Sequence, residues 1–207
     1  MTDVLTRLRT VRHRNGWIFG TMLLSSASSL LASFVLAVEA VRLAADPTTT
    51  LSCDINAVIS CGTVAESWQA ELFGFPNAFL GIAAEPVVVT IAVASLGGVR
   101  FPRWFMLSAQ VVYTLGLVFA YWLFYESMFH IGALCPWCLL VTVSTTFVFT
   151  SLTHVNIRDG NLFLPARAGA ALRSALEAGL DALAVTIWLL ALALAVVLKY
   201  GSALVGP

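Results

Sequence analysis

Hydrophobic residues fall in five blocks along the chain, at roughly 17–43, 77–97, 104–128, 134–155 and 181–200, separated by short polar or charged breaks. Each block supplies the ~20 apolar residues that a helix needs to cross about 30 Å of hydrocarbon. In lipid a helix can pair its backbone within one segment, so these blocks read as helices. The pattern predicts an all-α integral membrane protein. Residues 17–155 make a four-helix transmembrane bundle, 156–180 a connection that includes part of an Ala-rich stretch, and 181–207 a fifth transmembrane helix with the carboxyl terminus. The first block is longer than the 7–15 residues of a signal-peptide core, so it reads as a retained helix behind a short terminus, residues 1–16.

The break at 44–76 is long enough to carry structure of its own. Thr63 and Glu66 fit a capping box, which marks a helix start. Val64, Trp68 and Leu72 then recur at four-residue spacing, before Gly74 and Pro76 end the run. The expectation is a short lid helix on the membrane surface, with Trp68 buried and the bundle beneath it.

Charge orients the helices. The chain is 59% hydrophobic, 11% charged and of zero formal net charge, with a mean hydropathy of +0.91. Nothing in that balance suggests a nucleic-acid partner. The arginines of the breaks fall in alternate ones: Arg7, Arg9, Arg12 and Arg14, then Arg100 and Arg103, then Arg158, Arg167 and Arg173. The 44–76 break and the one near 129–133 carry neither Lys nor Arg. Basic loops stay on the cytoplasmic side, so the amino terminus is expected in the cytoplasm and the carboxyl terminus outside. Lys199 dissents, and its long side chain can reach an interface.

That orientation brings four cysteines to one outer face. Cys53 and Cys61 lie in the 44–76 loop, and Cys135-Pro136-Trp137-Cys138 opens the fourth helix. Unpaired N–H groups and the helix dipole favour thiolate at such an end, and Pro136 suits a first turn. Cys138 follows by three residues on nearly the same face. Two dithiols facing each other at a membrane surface can pass electrons by thiol–disulfide exchange. A Cys₄ zinc site and two inert disulfides are the competing readings. Seven residues separate Cys53 from Cys61, unlike the short hooks of zinc sites, and a Cys-x-x-Cys bridge closes too small a loop to stabilise much. No metal site is expected.

The order Cys53-Asp54, Ser60-Cys61, Pro76-Asn77 with Gly81, and Cys135-Pro136-Trp137-Cys138 resembles the vitamin K epoxide reductase family in a bacterial, stand-alone form. The resemblance covers most of 17–155. It implies a membrane thiol–disulfide oxidoreductase that oxidises a thioredoxin-fold protein outside the cytoplasm and reduces a membrane quinone, menaquinone or ubiquinone, in the bacterial inner membrane. Bacterial relatives often carry a fused thioredoxin-like domain, and this chain ends at Pro207, so the implied partner is a separate protein. Cys53 and Cys61 match the shuttle pair, Cys135 the cysteine that exchanges with it, and Cys138 the one that faces quinone. Asn77 matches a residue that hydrogen-bonds a quinone carbonyl. Animal relatives carry a Tyr where this chain has Thr142, a shorter hydroxyl. A quinone-epoxide reductase using the same cysteines is the alternative activity; a transporter subunit fits less well, because paired intramembrane charges and internal repeats are missing.

Four further residues complete the expectation. Asn77 taken alone reads as a helix N-cap, a reading that the resemblance reverses. Phe79 and Trp137 flank the polar site residues and are expected to line the quinone pocket. Glu85 lies mid-span, where an acid is costly and a functional candidate. It reads either as a proton relay to quinone or as a neutral side chain bonded to a neighbouring helix.

Overall fold

The computed structural model describes residues 13–205, with side chains for 13–201. Arg7, Arg9 and Arg12 lie outside the described residues. Five helices are long and apolar enough to cross a membrane. In chain order the helices are α1 (Asn15–Ala45), α2 (Cys61–Ala65), α3 (Ala78–Leu96), α4 (Arg103–Glu126), α5 (Pro136–Arg158), α6 (Ala166–Ala178) and α7 (Leu180–Val205). A 3₁₀ turn at Trp68–Glu71 follows α2, and a π turn at Ser127–Ile131 extends α4. Among the described residues the only β pairing is an isolated parallel bridge, Ile59 to Leu134. The protein is an all-α membrane protein, as the five apolar blocks predict.

Small residues let the bundle close. Ser26, Ser29, Ala32, Ser33 and Ala37 form the buried face of α1, which packs on α3 and α5. The approach is tightest at Gly81, where a Cβ would stand 2.1 Å from Ser33 Oγ. Glycine there is a steric requirement. Ile18, Phe19, Met22, Val88, Ile91, Met106, Val148 and Leu152 fill the bundle at the end away from the cysteines. At the other end the filling is a small cluster of Leu51, Cys53, Cys61 and Cys135. The bundle is therefore plugged at one end and hollow at the other.

The fifth helix stands outside this bundle. None of the most apolar stretch of α7 is buried, against half of that of α5. Its anchor is Lys199. The ammonium donates to the carbonyl of Met128 and lies 4.3 Å from the Phe129 ring centre, while Tyr200 Oη donates to the same carbonyl at 2.9 Å.

The lid differs from the expectation. Its helix starts at Cys61, and the cap is Ser60, whose hydroxyl accepts the Thr63 N–H at 3.1 Å. The helix stops at Ala65, and the 3₁₀ turn that follows takes about 3.0 residues per turn, against the ~3.6 that the four-residue stripe assumes. Trp68 is thereby turned out: it is 64% exposed, tilted against Trp122 with ring centres 6.1 Å apart. Gln69 is buried in its place and donates from Nε2 to Glu126 at 3.0 Å, tying the lid to the end of α4.

Candidate active site

Two loops bring the cysteines together, and their own polar groups build them. Asp54 gathers one loop: its carboxylate accepts the Leu51 N–H and the Gly62 N–H, each at 2.9 Å, and the Ser60 hydroxyl at 2.8 Å. Burial opposes ionisation of Asp54, but these hydrogen bonds outweigh it and hold the carboxyl below its ordinary range. Asn56 Oδ1 turns the chain by accepting the Val58 and Ile59 N–H groups. In the second loop Gly132 adopts φ +79°, a left-handed conformation that side chains resist, and Ser127 Oγ donates to the Ala133 carbonyl. The loops then join. Leu134 N–H donates to Val58 at 2.7 Å, and Ser60 N–H to Leu134 at 3.2 Å. This parallel pairing delivers Cys61 and Cys135, the next residues along, to the same place.

Cys53 and Cys61 form a disulfide, while Cys135 and Cys138 are free thiols. Cys61 Sγ lies 3.2 Å from Cys135 Sγ. Cys135 caps α5, its sulfur accepting the Cys138 N–H at 3.3 Å. The Cys138 thiol, and then the Cys138 and Trp137 N–H groups, lower the Cys135 pKa against the opposing effects of burial and of Glu39. A thiol with a lowered pKa at contact distance from a disulfide sulfur is the starting arrangement for exchange. Glu39, Cys53 and Cys61 could together hold an ion by distance, their ligand atoms lying within 4.8 Å of one another. The disulfide, however, occupies both sulfurs, which a four-cysteine zinc site would need as thiolates.

Beside the sulfurs is a cavity of about 690 Å³, within the range of cofactor sites. Cys61, Cys135 and Cys138 lie on its wall, with Asn77, Thr142, Glu85 and Tyr113. Val64, Ser67, Gln69 and Ala70 of the lid segment line it from the cysteine end. Thr142 Oγ1 donates to the Cys138 carbonyl at 2.9 Å. Asn77 is not a side-chain cap of α3. Its Nδ2 donates to the Gln69 carbonyl at 2.6 Å, strapping the lid to α3, and Oδ1 is buried without a hydrogen-bond partner. One N–H of the amide remains for an acceptor in the cavity. Glu85 is buried, and the Tyr113 hydroxyl lies 2.9 and 3.0 Å from its two oxygens.

Two expected pocket residues stand off the wall. Phe79 is 39% exposed and stacks on Phe75 with ring centres 6.4 Å apart; its neighbour Leu80 lines the cavity instead. Trp137 packs against the disulfide cluster. Sequence adjacency does not keep residues on one side of a helix, because each step turns about 100°. Tyr113 and Glu39 are the functional candidates that the sequence reading missed. Tyr113 had no signal beyond its place in an apolar block. Glu39 had the signal of an acid inside one.

The sequence model of the vitamin K epoxide reductase family matches residues 21–153. No individual curated protein matches the chain. The matched segment runs from α1 nearly to the end of α5, with all four cysteines and the cavity inside it. The chain therefore belongs to the vitamin K epoxide reductase family and is a multi-pass membrane oxidoreductase.

Proposed function

We propose that this protein reoxidises a separate thioredoxin-fold protein outside the cytoplasm of a bacterial cell and passes the electrons to a membrane quinone. The observation that carries this reading is the 3.2 Å separation of Cys61 and Cys135 sulfurs beside a largely apolar cavity. A partner thiolate attacks Cys53 and Cys61 leaves. Cys61 thiolate attacks Cys135 of an oxidised inner pair, forming Cys61–Cys135 and releasing Cys138 thiolate. The partner's second thiol displaces Cys53, which then attacks Cys61, restoring the outer disulfide and freeing Cys135. The inner dithiol gives two electrons to quinone, which takes two protons to become quinol, and Cys135–Cys138 closes. The observed oxidation state, an outer disulfide with an inner dithiol, corresponds to the stage just before quinone reduction.

Asn77 and Thr142 supply polar contacts to the quinone head, and the apolar wall takes the ring. Asn77 donates with its remaining N–H to an oxygen that gains charge as reduction proceeds. Glu85, held by Tyr113, is the proton source deeper in the cavity. The test is quinone reduction by purified protein with a reduced thioredoxin-fold donor. Wild type should bleach quinone with one donor disulfide formed per quinol, Cys138→Ala should not, and Glu85→Gln should slow the quinone step alone. Wild-type rates in Cys138→Ala would refute the scheme.

A further inference from the structure

We infer that Glu39 is a catalytic residue of the outer pair, the proton acceptor and donor for the Cys53 sulfur. The inference rests on the shuttle role proposed for Cys53 and adds the group that manages its proton. Glu39 sits in the last third of α1 and is 5% exposed. The Ser52 hydroxyl donates to Oε1. The other oxygen, Oε2, lies 3.5 Å from Cys53 Sγ. One oxygen is thus held and the other is aimed at the sulfur that meets the partner. A carboxylate at that spacing is not needed to bury Cys53, and an apolar residue would fill the site at lower desolvation cost.

An acid–base group there eases two steps of the relay. Cys53 leaves the mixed disulfide as a thiolate, and it must be a thiolate again to attack Cys61. Between these steps the buried sulfur, 6% exposed, has little water to exchange with. Glu39 protonates the sulfur as the partner's disulfide closes, and takes the same proton back as the S–S bond between Cys53 and Cys61 forms and the Cys61–Cys135 bond breaks. The carboxyl ends each turn as it began, so no further reactant is required. The other ionisable groups around it are accounted for. Glu39 acts electrostatically on Cys135 and Cys138 of the α5 end, Asp54 is engaged by Leu51, Ser60 and Gly62, and Arg42 on the same helix is exposed.

The experiment needs neither quinone nor partner. The intact protein is reduced, and alkylation of Cys53 by iodoacetamide is followed by peptide mass from pH 6 to 10 for wild type, Glu39→Gln and Glu39→Asp. In this reaction a sulfur–carbon bond forms, iodide leaves, and the thiol proton passes to Glu39. An unassisted thiol of pKa about 8.5 is only ~3% thiolate at pH 7. Glu39→Gln, which keeps an acceptor for Ser52, should therefore react about tenfold more slowly than wild type at pH 7 and converge with it near pH 9. Glu39→Asp, a shorter acid, should fall between them. A Gln variant equal to or faster than wild type at pH 7, or slower by the same factor at every pH, would overturn the inference. If Gln fails to fold, Asp alone decides, because only an acid-base role makes its deficit vanish at high pH. Failure of quinone reduction in the wild type would instead fall on the proposed function.

Discussion

Replacing Asn77 with Ala separates its structural role from its proposed catalytic one. The amide donates to the Gln69 carbonyl at 2.6 Å, and Gln69 is buried. Its loss leaves a buried carbonyl unpaired, which costs about 1–3 kcal/mol. It also frees the strap between lid and α3, since the remaining tie nearby is the Asn77 N–H to the Ala70 carbonyl at 2.9 Å. If the second N–H also serves a quinone oxygen, removing a donor aimed at developing charge costs a further 2.7–4 kcal/mol or so in the barrier, about a hundredfold to a thousandfold in kcat. Thermal unfolding and quinone kinetics on the same Asn77→Ala preparation read the two effects separately. Both should appear, with exchange between donor and Cys53–Cys61 changed far less than quinone turnover. Normal quinone kinetics with a lowered melting temperature would leave Asn77 as a strap and remove it from the quinone site. An unchanged melting temperature would refute the strap.

At Gly81, substitution by Ala sets a Cβ 2.1 Å from Ser33 Oγ and 2.8 Å from Ser33 Cβ, so it should destabilise the bundle by about 1–3 kcal/mol. Ser33→Gly in the same chain should recover most of the loss in a thermal melt, and failure to recover would place the strain elsewhere. For pH, Asp54 has its pKa depressed in the folded protein. Its contribution is present above the unfolded value near 3.9 and is lost as pH falls through the lower folded value. Acid unfolding of wild type should therefore steepen below about pH 4, and Asp54→Asn should be less stable at neutral pH without that added steepening. Parallel acid profiles would contradict the assigned role.

The five membrane helices were legible because length and composition suffice to mark them: the observed ends lie within a few residues of the hydrophobic blocks. Cys135 at the start of a helix was legible for a local reason, Pro136 in the first turn. What brings Cys61 to Cys135 was not, since it depends on a bridge between Ile59 and Leu134, residues with no pattern of their own. The lid shows the limit of periodicity. A break to 3₁₀ geometry after Ala65 moves Trp68 from the buried face to the exposed one. Phe79 and Trp137 were expected from adjacency alone, and the helical turn carries them off the cavity wall. Glu85 was legible as an intramembrane acid, and Glu39 carries the same signal closer to a helix end.

The sulfur relay itself is most directly tested by a cross-link. In a Cys53→Ala, Cys138→Ala double variant, Cys61 and Cys135 are left as lone thiols in a site where their sulfurs stand 3.2 Å apart. Mild oxidation followed by peptide mapping should give a Cys61–Cys135 disulfide in nearly every molecule, at protein concentrations too low for intermolecular pairing. Two thiols that remain separately alkylatable after oxidation, in a protein that still folds, would contradict the relay.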